Sequence, residues 1–141
     1  MRSSDFMHAI PEAVRVHLPP PLRDFRWQAR AWLVQIYYGH PRLHYEVWSI
    51  AYRNLLELGL HFEHQDRSVN ARLLDHFDAY AVAIKAELGE QVEVEAWDKG
   101  WAKVYETLPL RPFEPPYLEQ VAQRLAGMIA YLQPILDTAR L

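Results

Sequence analysis

The chain has 141 residues, half of them hydrophobic and 23% charged, with five tryptophans, no cysteine and a net charge of −3. This length suits one domain, and the lack of cysteine excludes disulfide frameworks, zinc fingers and thiol chemistry. A general attraction to nucleic acid is not expected at this charge. No apolar run approaches the roughly 20 residues of a membrane helix, and the N-terminus lacks the basic-then-apolar order of a signal peptide. We therefore expect a cytoplasmic protein that does not bind membranes.

The N-terminal part of the chain predicts a short helical segment followed by strands. Residues 1 to 21 form this segment, in which Pro11 suits the first turn of a short helix that reaches about Leu18. Residues 25 to 38 alternate apolar and polar side chains and then become rich in aromatic and branched ones, which predicts one strand with a bulge or two strand segments. An amphipathic helix over the same residues is the alternative.

Two further strands are predicted at residues 43 to 52 and 55 to 63, with a tight connection at Arg53 and Asn54. The second strand has a clear apolar face, formed by Leu56, Leu58, Leu60 and Phe62. The phase of the first strand is ambiguous, because the core could receive either Tyr45, Val47 and Ala51 or Trp48, Ile50 and Tyr52.

The second half predicts a helix, a hairpin and a last helix. The helix spans residues 68 to 88, with Ser68 as its N-cap and Gly89 as its stop. Its apolar stripe consists of Val69, Leu73, Phe77, Tyr80, Ile84 and Leu88. The hairpin pairs residues 91 to 97 with residues 101 to 107, and the last helix spans residues 115 to 137.

The element order α-β-β-β-α-β-β-α predicts a single α+β domain, with an antiparallel sheet of about five strands backed by two long helices. One sheet face is then left without a cover. In element order and length, the chain resembles the secretion-chaperone-like fold of small homodimeric proteins that hold an extended client segment. The resemblance implies a dimer, no cofactor and no catalysis.

The uncovered face collects acidic and aromatic side chains, because alternate residues of a strand point to the same face. Our first hypothesis is a non-catalytic homodimer that uses this face to bind itself or a protein segment. The candidate partner-binding residues are Trp48, Glu57, His61, Glu93, Glu95, Trp97, Trp101, Lys103 and Tyr105.

The same face supports an alternative hypothesis of a metal-binding or hydrolytic protein that uses Glu57, His61, Glu63, Glu93 and Glu95. Its metal ligands would be His61 and Glu63, completed across strands by Glu93 or Glu95, since zinc sites need three or four protein ligands. His64 falls on the opposite strand face. The remaining histidines, at positions 8, 17, 40, 44 and 76, are predicted to be surface groups or satisfied core groups.

Nucleic-acid binding is the least favoured class. Arg23, Arg26 and Arg30 lie beside Trp27 and Trp32, and basic and aromatic groups interleave at single-strand sites. No recognition motif accompanies them.

Overall fold

The structure is a computed structural model that describes all residues from Met1 to Leu141, and its centre is one antiparallel sheet of six strands. The strand order across the sheet is β1-β2-β3-β4-β6-β5. The strands are β1 (Arg26–Ala29), β2 (Leu33–Tyr37), β3 (Leu43–Ile50), β4 (Leu55–Phe62), β5 (Glu93–Trp97) and β6 (Trp101–Pro109). The predicted α+β class with an antiparallel sheet is confirmed.

The sheet has six strands rather than about five, because residues 25 to 38 form two strands. β1 and β2 pair with each other across a short turn, so that Arg26 lies opposite Tyr37. The shift in apolar phase near Ala31 and Trp32 marks this turn. The alternative of an amphipathic helix over these residues is wrong.

Helices cover one face of the sheet. They are α1 (Ser3–Arg15), α2 (Arg67–Asp78), α3 (Ala81–Leu88) and α4 (Pro115–Asp137). α1 packs against β1, β2 and α4, while α4 lies over β4 and α2 lies over β5 and β6. None of the helices combines the length and apolar character that a membrane span requires.

The core lies between these helices and the inward side chains of the strands. The predicted apolar face of β4 is confirmed, since Leu56, Leu58, Leu60 and Phe62 are all fully buried. The hairpin of β5 and β6 is also confirmed, with residues 98 to 100 in its turn.

Three helical predictions need correction. The first helix begins at Ser3, because Phe6 and Ile10 already belong to its buried stripe, and Pro11 therefore lies inside the helix. The predicted helix over residues 68 to 88 is two helices, since Tyr80 leaves helical geometry (φ −102°, ψ 5°) and is partly exposed. The N-cap of α2 is Asp66, whose carboxylate accepts the backbone N–H of Ser68 at 2.9 Å.

β4 and β6 approach each other closely at Gly59. A Cβ atom built on Gly59 would lie 2.3 Å from the carbonyl oxygen of Val104 and 2.6 Å from Cβ of Tyr105. Glycine is therefore needed at this position by the close contact between strands.

Candidate metal centre

The sheet face that points away from the helices is called the second sheet face. On β3 and β4, every second residue points to this face, and several of these residues are polar. Tyr45 points into the core, which resolves the phase of β3 and turns His44 and Glu46 to the other face. The antiparallel pairing of β3 with β4 sets His44 directly opposite His61. Each histidine is followed two residues later by a glutamate on the same face, Glu46 on β3 and Glu63 just after β4.

Four side chains, His44, Glu46, His61 and Glu63, form the donor cluster, with one donor atom from each within 4.8 Å of the others. Nδ1 of His61 lies 2.8 Å from a carboxylate oxygen of Glu63 and 3.7 Å from one of Glu46. Nε2 of His44 lies 3.3 Å from Glu46 and 3.6 Å from Glu63. Two donors bound to one ion at about 2.1 Å are about 3 to 4 Å apart. The other three separations fall in this range, whereas the 2.8 Å between His61 and Glu63 is a hydrogen bond that an ion would replace.

The outer nitrogen of each histidine is held by an acceptor outside the cluster. Nδ1 of His44 lies 2.9 Å from the carbonyl oxygen of Pro41, and Nε2 of His61 lies 2.8 Å from a carboxylate oxygen of Glu57. Lys103 donates to the other oxygen of Glu57 at 2.7 Å. Outer hydrogen bonds of this kind orient metal-binding histidines and leave the inner nitrogen free to coordinate.

Burial makes the charges of this cluster interact strongly. Burial alone would lower the pKa of His61, but the charge of Glu46 and hydrogen bonds to Glu57 and Glu63 raise it to about 9. Burial alone would raise the pKa of Glu46, but contacts with His44, His61 and Gln35 bring it to about 2. Without an ion, His61 therefore carries a proton and offsets the surrounding carboxylates. A divalent cation could replace that proton at Nδ1.

The donor types narrow the class of ion. Two imidazole nitrogens and two carboxylate oxygens suit zinc, iron(II), cobalt(II) or manganese(II). Calcium and magnesium prefer shells made of oxygen alone, and copper(I) prefers sulfur. Gln35 adds a further polar group, since its amide nitrogen donates to Glu46 at 2.9 Å and lies 3.2 Å from Nε2 of His44.

An aromatic groove of about 240 Å³ lies against the donor cluster. Its walls are largely indole rings, and its lining consists of Trp32, Leu33, Gln35, Glu46, Trp48, Glu63, Trp97 and Trp101. Ring centroids of Trp97 lie 5.4 Å from Trp101 and 6.4 Å from Trp48. Nε1 of Trp97 is buried and has no hydrogen-bond partner, which costs about 1 to 3 kcal/mol.

The structure brings some of the predicted site residues together. His61 and Glu63 belong to the donor cluster, and Glu57 with Lys103 lies directly behind His61. The sheet face is not open at Glu57, His61 and Lys103, which are buried, because the ring of Trp97 covers both His61 and Lys103.

Other predicted site residues lie apart from the cluster. Glu93 forms a salt bridge with Lys85 at 3.1 Å, and Glu95 accepts a hydrogen bond from the hydroxyl group of Tyr105. Neither glutamate joins the donor cluster, because both lie on the edge strand β5, separated from β4 by β6. The prediction that Glu93 or Glu95 would complete a metal site is therefore wrong.

Two residues of the cluster were not predicted from the sequence. The strand pattern places His44 among the surface or satisfied core groups and gives no role to Glu46. The signal that identifies them is a repeated pattern of histidine, aromatic residue and glutamate, found as His44-Tyr45-Glu46 and His61-Phe62-Glu63. Read on two paired strands, this repetition places all four donors on one face.

Comparison of the chain with protein-family models, curated proteins and solved structures gave no match. The resemblance to secretion chaperones therefore stays a prediction.

Proposed function

We propose that this protein binds one divalent transition-metal ion through His44, Glu46, His61 and Glu63. The arrangement of hydrogen bonds around the two histidines carries the proposal. The outer nitrogen of each imidazole is engaged by Pro41 or Glu57, while the inner nitrogen faces two carboxylates. Each inner nitrogen lies within 3.7 Å of both carboxylates, so the four donors surround a common point, as the ligands of one ion do.

Metal titration tests this proposal. Protein stripped with a chelator is titrated with zinc and with manganese by calorimetry, and one ion per chain is expected. Thermal unfolding gives a second readout: an ion at about 100 times its dissociation constant adds about 2.7 kcal/mol to the free energy of unfolding. For a chain of this size, the melting temperature then rises by roughly 5 to 10 °C.

Matched variants assign the ligands. His44→Ala and Glu46→Gln should abolish the metal-dependent rise in melting temperature. Glu57→Gln should weaken binding by about 10- to 100-fold, because it replaces the charged acceptor at Nε2 of His61 with a neutral one. His8→Ala, at an exposed histidine outside the cluster, should bind as the unmodified protein does. Absence of binding, or binding that His44→Ala leaves unchanged, would contradict the proposal.

A second candidate function is protein binding, either to a second copy of this chain or to another protein, through the groove face, which is the surface around the aromatic groove. The exposed indole of Trp32, at 53% of its full accessible surface, favours it, since a large aromatic side chain in water at the mouth of an apolar groove often marks a contact surface. Trp48, Trp97 and Trp101 would contribute to the contact. The molar mass in solution tests this candidate. A cytoplasmic location also stays a prediction.

A further inference from the structure

We infer that the aromatic groove binds a small planar aromatic compound whose oxygen donor coordinates the metal ion. The inference rests on the proposed metal site and names the class of ligand that this site takes. It depends on three features of the groove: its position relative to the donor cluster, its walls and its charge.

The groove is the side from which a ligand reaches the ion. Glu46 and Glu63 belong to the lining of the groove, whereas His44 and His61 are buried and do not line it. An ion held by these four side chains therefore presents its remaining coordination positions toward the groove. When each of the four residues supplies one donor atom, a six-coordinate ion such as manganese(II) or cobalt(II) has two coordination positions left for a ligand.

The walls favour a flat ring over other apolar shapes. Indole faces of Trp48, Trp97 and Trp101 follow one another at centroid distances that aromatic pairs prefer. The volume of about 240 Å³ exceeds the roughly 150 Å³ cavity that is known to hold benzene in another protein. One six-membered ring with a donor substituent therefore fits.

The charges allow an anionic oxygen donor. A divalent ion with Glu46 and Glu63 is neutral, and Glu57 is paired with Lys103. An anionic oxygen bound to the ion is therefore not repelled by an unpaired negative charge nearby. The aromatic side chains of the groove carry no positive charge, so an anion has no other binding position there. The donor should lie at the ion and the ring against the indole surfaces that line the groove.

Two hydroxamates separate the contribution of the ring from that of the metal. Benzohydroxamate and acetohydroxamate share the chelating group, and only the first carries a flat ring. Each is titrated into cobalt-loaded protein, and the visible absorption of cobalt(II) reports its coordination. We expect benzohydroxamate to bind at least about tenfold more tightly. Neither should bind the protein without cobalt.

Tryptophan variants locate the ring. Trp48→Ala and Trp32→Ala should bring the affinity ratio of the two hydroxamates to below about threefold and leave acetohydroxamate unchanged. Trp32 is mostly exposed, so its removal should not disturb folding. Trp27→Ala, outside the groove, should keep the full ratio.

The outcomes separate this inference from the metal proposal. If cobalt binds and the two hydroxamates bind equally well, the groove is not the ligand site and the inference is overturned while the metal proposal stands. If cobalt produces no spectrum, both proposals fail before any hydroxamate is added. A ratio that Trp27→Ala lowers as much as Trp48→Ala does would also overturn the inference.

Discussion

His61 is the most heavily constrained side chain of the donor cluster. It is fully buried, its two nitrogens lie 2.8 Å from Glu57 and Glu63, and the ring of Trp97 stands edge-on to it. Its charge state therefore couples the cluster to the stability of the whole protein. The direction of this coupling follows from the raised pKa of His61.

We predict that metal-free protein loses stability as the pH rises from 7 to 9. The pKa of His61 is about 6.5 in the unfolded chain and about 9 in the folded one, so the folded state binds more protons between these values. Stabilisation is complete below pH 6.5 and disappears as the pH passes 9. Each kcal/mol lost lowers the melting temperature by about 2 to 4 °C in thermal unfolding with a chelator present.

Two comparisons check that this pH dependence comes from His61. Metal-loaded protein should not lose stability over the same range, because the ion has already displaced the proton. His61→Asn should show a smaller decrease than the unmodified protein. A melting temperature that stays constant or rises between pH 7 and 9 without metal would contradict the assignment.

At the scale of single residues, the sequence predicts His61 and Glu63 as ligands because their spacing on one strand face is unambiguous. His44 and Glu46 could not be assigned in the same way, since two phases of β3 satisfied its apolar pattern equally well. Packing decides between them, because Tyr45 reaches Gln133 of α4 with its hydroxyl at 2.9 Å. That contact depends on tertiary structure and has no local sequence signal.

At the scale of elements, the contact between β4 and β6 depends on Gly59. We predict that Gly59→Ala destabilises the protein by about 1 to 3 kcal/mol, because the new methyl group would overlap backbone and Cβ atoms of β6. It should also weaken metal binding, since moving β4 relative to β6 separates Glu57, which holds the ring of His61, from Lys103. Chemical denaturation and metal titration measure the two effects.

Gly127→Ala is the matched control for this substitution. Gly127 lies in α4, is exposed, and has open space where a Cβ atom would be added. Alanine favours the helix there, so the variant should be more stable by up to about 1 kcal/mol and bind metal normally. Equal effects of the two substitutions would show that the close strand contact is not the cause.

Elements with strong local signals are predicted well. The bounds of α4 agree with its apolar stripe and its N-terminal prolines, and the hairpin of β5 and β6 agrees with its glycine-containing turn. The break at Tyr80 has no local signal, because the apolar period of the sequence continues through it. Ile84 and Leu88 of α3 are still buried in the core, so the apolar pattern alone gives no sign of the break.

At the scale of the whole molecule, the groove face is either open to ligands or covered by a second chain. The homodimer proposal predicts a molar mass of twice 16.6 kDa by light scattering. Trp101→Glu or Trp32→Glu should then give a folded protein of half that mass, because a charged group in the contact is costly. Trp27→Glu serves as the control.

A monomeric mass for the unmodified protein would contradict the homodimer proposal and leave the groove accessible. A dimer that Trp101→Glu and Trp32→Glu leave intact would place the subunit contact elsewhere. In both cases the groove is accessible in solution, so the hydroxamate titrations measure binding to it directly.

The facing positions of His44 and His61 would give an ion bound at the donor cluster a role in how the chain folds. All four donors lie between residues 44 and 63, on two strands joined by a short connection, so an ion would close a small loop at low entropic cost. Sliding β3 past β4 by one residue would turn the donors of one strand toward the core. A bound ion would therefore select one alignment of the two strands from those that backbone hydrogen bonds alone allow.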